Sequence, residues 1–260
     1  MTTTSPSTPT CLELEHVSVR FGGLLVLNDV SFAVQLNEIV GLIGPNGAGK
    51  TTAFNVACGF IKPSSGDVIF PSRIRSRLRP HQLARGHVAR TLQGVGLFEH
   101  MSVLENVMAG AQSRSGGNFL TDVLGLPSGT RRNRTLMSQA MDTLGQLGIE
   151  KFARQLPSAI PYGIAKKVSV ARALMSEPSL LLLDEPASGL DENELDEFSA
   201  LIISLRSRMG VLLVEHNMEF VMPLVDRLVV LNFGEVIATG TPKEIHEDPE
   251  VLAAYLGVDE

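Results

Sequence analysis

Apolar and polar residues alternate from Leu12 to Arg20 and again from Val30 to Leu36, the period of a strand with one face covered and one wet. Both segments are expected to be half-exposed antiparallel strands. A different pattern follows. Ile39 to Ile43, Leu180 to Leu183, Val211 to Val214 and Leu228 to Leu231 are unbroken apolar runs, as suits parallel strands covered on both faces. Helical stretches separate them, among them Thr52 to Gly59 and Glu192 to Met209. This alternation predicts a mostly parallel sheet sandwiched by helices.

Between about Gly94 and Ala159 the pattern turns helical. Val103 to Ala111 and Asn133 to Leu147 read as helices, punctuated by the turn-rich stretches Ser113 to Gly117 and Leu126 to Gly129. A helical insert in the core is expected there. Pro71 to Arg85 is Arg-rich with little periodicity and reads as a solvated surface loop. The first ten residues are rich in Thr, Ser and Pro and hold no Lys or Arg, which suits a disordered lead-in rather than a signal peptide. The expected organisation is a lead-in over 1–10 and one domain over 11–257. Its core occupies 11–93 and 165–240, the insert about 94–164, and a helical tail 241–260.

Chemistry enters where the first buried run ends. Gly44-Pro45-Asn46-Gly47-Ala48-Gly49-Lys50-Thr51-Thr52 matches G-x-x-x-x-G-K-[ST] between an expected strand and an expected helix. Glycines at 44, 47 and 49 allow a tight turn whose N–H groups point inward at phosphates. Lys50 is placed to reach the β- and γ-phosphates, and the Thr51 hydroxyl to meet Mg²⁺. The positive end of the following helix favours the same anion. A nucleoside triphosphate is therefore the expected ligand.

A second constellation completes the first. The run Leu180 to Leu183 delivers Asp184 and Glu185 at its carboxyl end. An Asp there is suited to Mg²⁺, and a neighbouring carboxylate can polarise an attacking water. Composition narrows the partners. A net charge of −6 argues against a broad nucleic-acid surface. No apolar run approaches the roughly 20 residues needed to span a bilayer. Cys11 and Cys58 have neither metal nor disulfide spacing and read as reduced thiols.

The order P-loop, Gln93, Tyr162-Gly163, Asp184-Glu185, Ser188-Gly189-Leu190-Asp191 and His216 resembles the ATP-binding subunit of ABC transporters, over almost the whole chain. The resemblance implies a P-loop NTPase (RecA-like) α/β core with an antiparallel β subdomain and a helical insert. It assigns Phe21 to stacking on adenine, and Gln93 to Mg²⁺ and the attacking water. Asp184 becomes a metal ligand and Glu185 the catalytic base. His216 becomes the γ-phosphate contact, and Asp191 the aspartate that communicates across a dimer. Asp191 also suits the N-cap of the helix that follows it.

The signature segment departs from the family's Leu-Ser-Gly-Gly-Gln. Here it reads Ile160-Pro161-Tyr162-Gly163-Ile164. Gly163 and the helix keep a backbone N–H for the phosphate of an opposite subunit, whereas Pro161 and Ile164 lack the usual hydroxyl and amide. Phe21-Gly22-Gly23-Leu24, Pro161-Tyr162-Gly163, Val214 to Met218 and the tail Ala253 to Gly257 resemble the larger ATPase of branched-chain amino acid importers. That resemblance implies ATP and Mg²⁺, a second ATPase subunit, membrane permeases and a solute-binding protein, at the cytoplasmic face of a membrane. Alternatives are the ATPase of a lipid or lipopolysaccharide exporter, and a weakly hydrolysing nucleotide-gated subunit.

Overall fold

A computed structural model of the chain describes residues 9–70, 80–91, 94–111 and 130–256. The first strands pair as their alternation predicts. β1 (Thr10–Phe21) and β2 (Leu24–Gln35) form an antiparallel hairpin closed where Phe21 faces Leu24. Leu12 and Leu14 are buried, and so are Val17 and Val19, although the two pairs are out of phase for a regular strand. The register shifts between Leu14 and Val17, with His16 at φ 52, and this bulge turns both pairs inward. β4 (Ser65–Ile69) pairs along the other edge of β1.

The larger sheet has six strands in the order β5-β6-β7-β3-β8-β9. These are β3 (Ile39–Ile43), β5 (Val88–Arg90), β6 (Leu180–Asp184), β7 (Gly210–Val214), β8 (Arg227–Asn232) and β9 (Glu235–Gly240). All neighbours are parallel except β8 and β9. The unbroken apolar runs lie in β3, β6, β7 and β8, whose interior residues are fully buried. Ser65-Gly66-Asp67 in β4 is exposed and polar, so hydrophobic pattern alone does not reveal that strand.

The helices are α1 (Lys50–Ala57), α2 (Val103–Ala109), α3 (Thr130–Gln146), α4 (Tyr162–Leu174), α5 (Glu192–Leu205), α6 (Met218–Val221), α7 (Pro242–Glu247) and α8 (Pro249–Leu256). α5 stops short of the expected Met209, because Met209 is buried and the chain must turn into β7 at Gly210. Pro80–Gly86, in the stretch expected to be a solvated loop, is a 3₁₀ helix that buries Leu83. Residues 71–79, 113–117 and 126–129, also expected to be loops, lie outside the described residues.

Three apolar clusters hold these elements. One joins Leu12, Leu14 and Val30 of the small sheet, Phe54 and Ala57 of α1, and Val40, Leu182 and Leu212 of the large sheet. The second covers the opposite face of the large sheet with Phe198 and Ile202 of α5 and Phe220 and Val221 of α6. The third belongs to the insert, where Val103, Val107, Ala140 and Leu144 meet Val168 and Ala171 of α4. α4 thus serves two cores, since its Val170 and Ala173 pack with the second cluster.

Candidate nucleotide-binding site

The loop of residues 44–49 connects β3 to α1, and its glycines are forced by neighbours as well as by backbone angles. Gly44 has φ 146, and a Cβ there would lie 2.0 Å from the Leu231 carbonyl oxygen. Gly49, at φ 100, would place a Cβ 2.7 Å from Leu27 Cδ2 and 3.1 Å from the Val26 carbonyl. The loop is therefore wedged between β2 and the end of β8. The Gly234 N–H adds a hydrogen bond to the Ala48 carbonyl at 3.0 Å. α1 begins without a side-chain cap and without an acidic residue in its first turn, leaving its leading N–H groups to an anion. Lys50 folds back over the loop, its Nζ donating to the carbonyls of Gly44 at 2.7 Å and Pro45 at 2.8 Å. Burial pulls its pKa down, and the charge of Glu185 works against that shift. Asn46, Gly47 and Thr51 are exposed, while Pro45 and Thr52 are half-buried.

The acidic groups arrive from β6. Asp184 closes that strand, and Arg90 Nη2 lies 3.6 Å from its Oδ2 with both side chains mostly buried. Burial raises the Asp184 pKa and Arg90 opposes the rise. Glu185 departs from the strand with φ 46, a left-handed conformation that a non-glycine residue rarely adopts. Its side chain is part-exposed, and Oε1 lies 4.0 Å from His216 Nδ1. His216 follows β7 and exposes most of its ring. Behind it, Glu215 is 1% exposed. Its carboxylate accepts from the N–H groups of Ala187 at 2.6 Å, His216 at 3.1 Å and Asn217 at 3.4 Å. Burial raises the Glu215 pKa despite those three bonds.

α4 is laced to the segment that follows Glu185. Lys166 donates to the carbonyls of Pro186 at 2.6 Å and Glu185 at 3.3 Å. The Tyr162 ring lies over Gly189, where a Cβ would come within 2.9 Å of it. Asp191 caps α5 in a reciprocal box with Glu194, the capping role its position predicts. The same Glu194 also reaches the head of α4. The Gly163 N–H donates to Glu194 Oε1 at 3.2 Å, so a carboxylate of this chain stands where the sequence left a donor open for phosphate.

Residues 27–188 match the family model described as ABC transporter. The chain belongs to that family. Residues 235–260 match a second model, described as branched-chain amino acid ATP-binding cassette transporter. Among curated relatives, a high-affinity branched-chain amino acid transport ATP-binding protein of Pseudomonas aeruginosa is 40% identical, covering 95% of this chain and 97% of its own length. Its Escherichia coli namesake is 39% identical over the same shares. A lipopolysaccharide export system ATP-binding protein of Escherichia coli is 33% identical, covering 95% of this chain and 98% of that protein. A solved nucleotide-free ATP-binding cassette from an ABC transporter superposes with TM-score 0.81 at 27% identity, covering 95% of this chain and 98% of that one. The P-loop NTPase core expected from the sequence is thus the fold. Among the described residues no helix is long and apolar enough to cross a membrane.

The structure brings most of the sequence-selected residues of this ABC family member to one end of the large sheet. Phe21 ends β1 with 51% of its surface exposed, at the hairpin whose β2 passes beside Gly49. Gln93 lies outside the described residues. Arg90, Lys166, Glu194 and Glu215 were not singled out from the sequence. A usable signal existed for Lys166, which shares the apolar helical stripe of Gly163, Val170 and Ala173.

Proposed function

We propose that this chain binds ATP with Mg²⁺ and hydrolyses it to power an ABC importer of branched-chain or related hydrophobic amino acids. The observation that carries the reading is convergence. A glycine loop wedged between two strands, an uncapped helix start and Lys50 stand at the same sheet end as Asp184, Glu185 and His216. Residues 44–52 would cradle the phosphates, and Lys50 would exchange two loop carbonyls for phosphate oxygens. Phe21 would stack on the adenine.

Thr51 and Asp184, with Gln93, would hold Mg²⁺, which when bound offsets the negative charge of the phosphate oxygens. The donor set fits. Among the described residues no group of three or more His, Cys, Asp or Glu is arranged to hold a metal ion by itself, and a P-loop site takes most of its metal ligands from phosphate and water. Glu185 accepts a proton from the attacking water. His216 orients the γ-phosphate from the other side, within 4.0 Å of that base.

The working unit in this reading is a pair of ATPase subunits at the cytoplasmic face of a membrane. The head of α4, with Gly163, and Asp191 face the partner's nucleotide, and the insert transmits motion to permeases served by a solute-binding protein. No nucleic acid is involved. Import is favoured over lipopolysaccharide export by the 40% against 33% identities and by the branched-chain match over residues 235–260. The test is Glu185→Gln. It should bind ATP and trap a closed dimer while losing turnover; undiminished steady-state hydrolysis rules out Glu185 as the base. Reconstituted with its permeases, the complex should respond to a leucine-loaded binding protein with faster hydrolysis. An unresponsive complex overturns the solute assignment.

A further inference from the structure

We propose that Lys166 and Glu215 are positioning residues that clamp the backbone of residues 185–187 from two sides and so aim the Glu185 carboxylate. The proposal rests on Glu185 being the base. It explains how a left-handed glutamate, at φ 46, persists at the end of a buried strand, since such strain survives only where the surroundings over-determine it. Three elements do so here. β7 accepts the Glu185 N–H through the Val214 carbonyl at 2.9 Å. α4 supplies Lys166, whose ammonium bonds the carbonyls of Glu185 at 3.3 Å and Pro186 at 2.6 Å. The segment after β7 supplies Glu215, whose Oε1 accepts the Ala187 N–H at 2.6 Å. Successive peptides are thus held by a cation on their oxygens and an anion on the following nitrogen.

Both clamping groups are themselves buried, Lys166 at 6% exposure and Glu215 at 1%. Charges so placed are costly unless their hydrogen bonds are filled. Lys166 meets the two carbonyls and the face of the Tyr162 ring at 5.5 Å, and Glu215 meets three main-chain N–H groups, with His216 Nδ1 3.9 Å from its Oε2. Neither side chain meets the other in a direct ion pair, so both are committed to holding backbone. Burial lowers the Lys166 pKa, and the charges of Glu215 and Glu185 oppose that shift. Two consequences are built in. Glu215 Oε2 also accepts the His216 N–H, so one carboxylate ties the two catalytic segments together. Lys166 sits on the helix that begins with Tyr162 and Gly163, so a displacement of α4 reaches Glu185 through a single side chain.

The experiment uses the full chain in single-turnover hydrolysis of Mg-ATP, with nucleotide affinity and thermal unfolding measured on the same samples. Lys166→Met should lower the hydrolysis rate by about tenfold or more while leaving the ATP dissociation constant within about twofold. Lys166→Arg, which keeps a charged donor, should recover part of the loss. In a Glu185→Gln background Lys166→Met should add no further loss, because the group it aims is gone. A wild-type rate, a loss that tracks the unfolded fraction, or full additivity with Glu185→Gln overturns the clamp. Should Lys166→Met not fold, Glu215→Gln keeps the volume and an acceptor for Ala187. It should show the same fall in rate at unchanged affinity, and an unchanged rate overturns the proposal. An active Glu185→Gln defeats the base assignment itself, whereas an inert Glu185→Gln beside a fully active Lys166→Met defeats only the clamp.

Discussion

Arg90 joins the core to Asp184, the acid proposed to hold Mg²⁺, and Arg90→Met separates its contributions. The guanidinium lies between two rings, 5.2 Å from the centroid of Phe54 and 4.7 Å from that of Phe60. Its Nη2 is 3.6 Å from Asp184 Oδ2, with 15% and 10% of the two side chains exposed. Methionine retains much of the apolar stem but neither the charge nor the fork. Losing two partly desolvated cation–π contacts costs about 1 kcal/mol each, and stranding a buried carboxylate about 3 kcal/mol. Partial relaxation, including protonation of Asp184, brings the expected total to about 3–5 kcal/mol. That is a large share of the roughly 5–15 kcal/mol that holds a domain together, and it corresponds to a fall of about 6–20 °C in Tm. The acid responds in a defined direction. Burial already raises the Asp184 pKa, with Arg90 working against it, so removing Arg90 raises it further. The Mg²⁺ dependence of nucleotide binding should then weaken as pH falls, at a higher pH than in the parent protein. Urea unfolding and Mg²⁺ titrations between about pH 5 and 7 measure both effects. A variant within about 1 kcal/mol of the parent, with an unmoved Mg²⁺ profile, refutes the assignment of Arg90 as the partner of Asp184.

Cys58 is wholly buried, and burial pushes its thiol from 9.0 up to about 12. The folded chain therefore keeps a proton that the unfolded chain releases, and the Cys58 contribution to stability declines as pH rises from 9.0 toward about 12. Cys58→Ala should flatten that slope, and iodoacetamide at alkaline pH should modify Cys58 only after unfolding; rapid labelling of the native chain contradicts this. Phe21→Ala should weaken ATP binding by about 1 kcal/mol or more, near fivefold in Kd, if the half-exposed ring stacks on adenine. An unchanged constant in equilibrium titration assigns the ring to hairpin packing instead.

The parallel strands were legible because each is a continuous apolar run bounded by polar residues, as at Ile39–Ile43 and Leu180–Leu183. The hairpin was half legible. The bulge at His16 breaks the alternation that marks it, and β2 begins at Leu24, well before the expected Val30. β5 is only three residues long, and β9 exposes Glu235 and Thr239 on an edge strand, so neither carries a period-two signal strong enough to read. At the site, residues within one short motif were found, whereas residues that serve it from elsewhere were not. Lys166 and Glu215 lie 20 and 28 positions from the peptide groups they hold, and a lone Lys or Glu in a sequence is ordinarily a surface residue. Glu194 is similar: its capping role with Asp191 was local, but its bond to Gly163 spans 31 positions.

Phe54 and Ala57 of α1 share one apolar cluster with Leu12 and Val30 of the small sheet and with Val40 and Leu212 of the large one. That helix carries the phosphate-binding loop at its head, so the antiparallel sheet cannot be peeled away without unseating the loop. In amide hydrogen exchange the two sheets and the P-loop helix should therefore behave as one cooperative unit, opening together at the highest free energy. The insert, with a cluster of its own around Val107 and Leu144, can open beneath that level and leave the phosphate cradle protected. The loop proposed to grip the nucleotide is thus tied into the larger core, whereas the insert rests on a smaller core of its own.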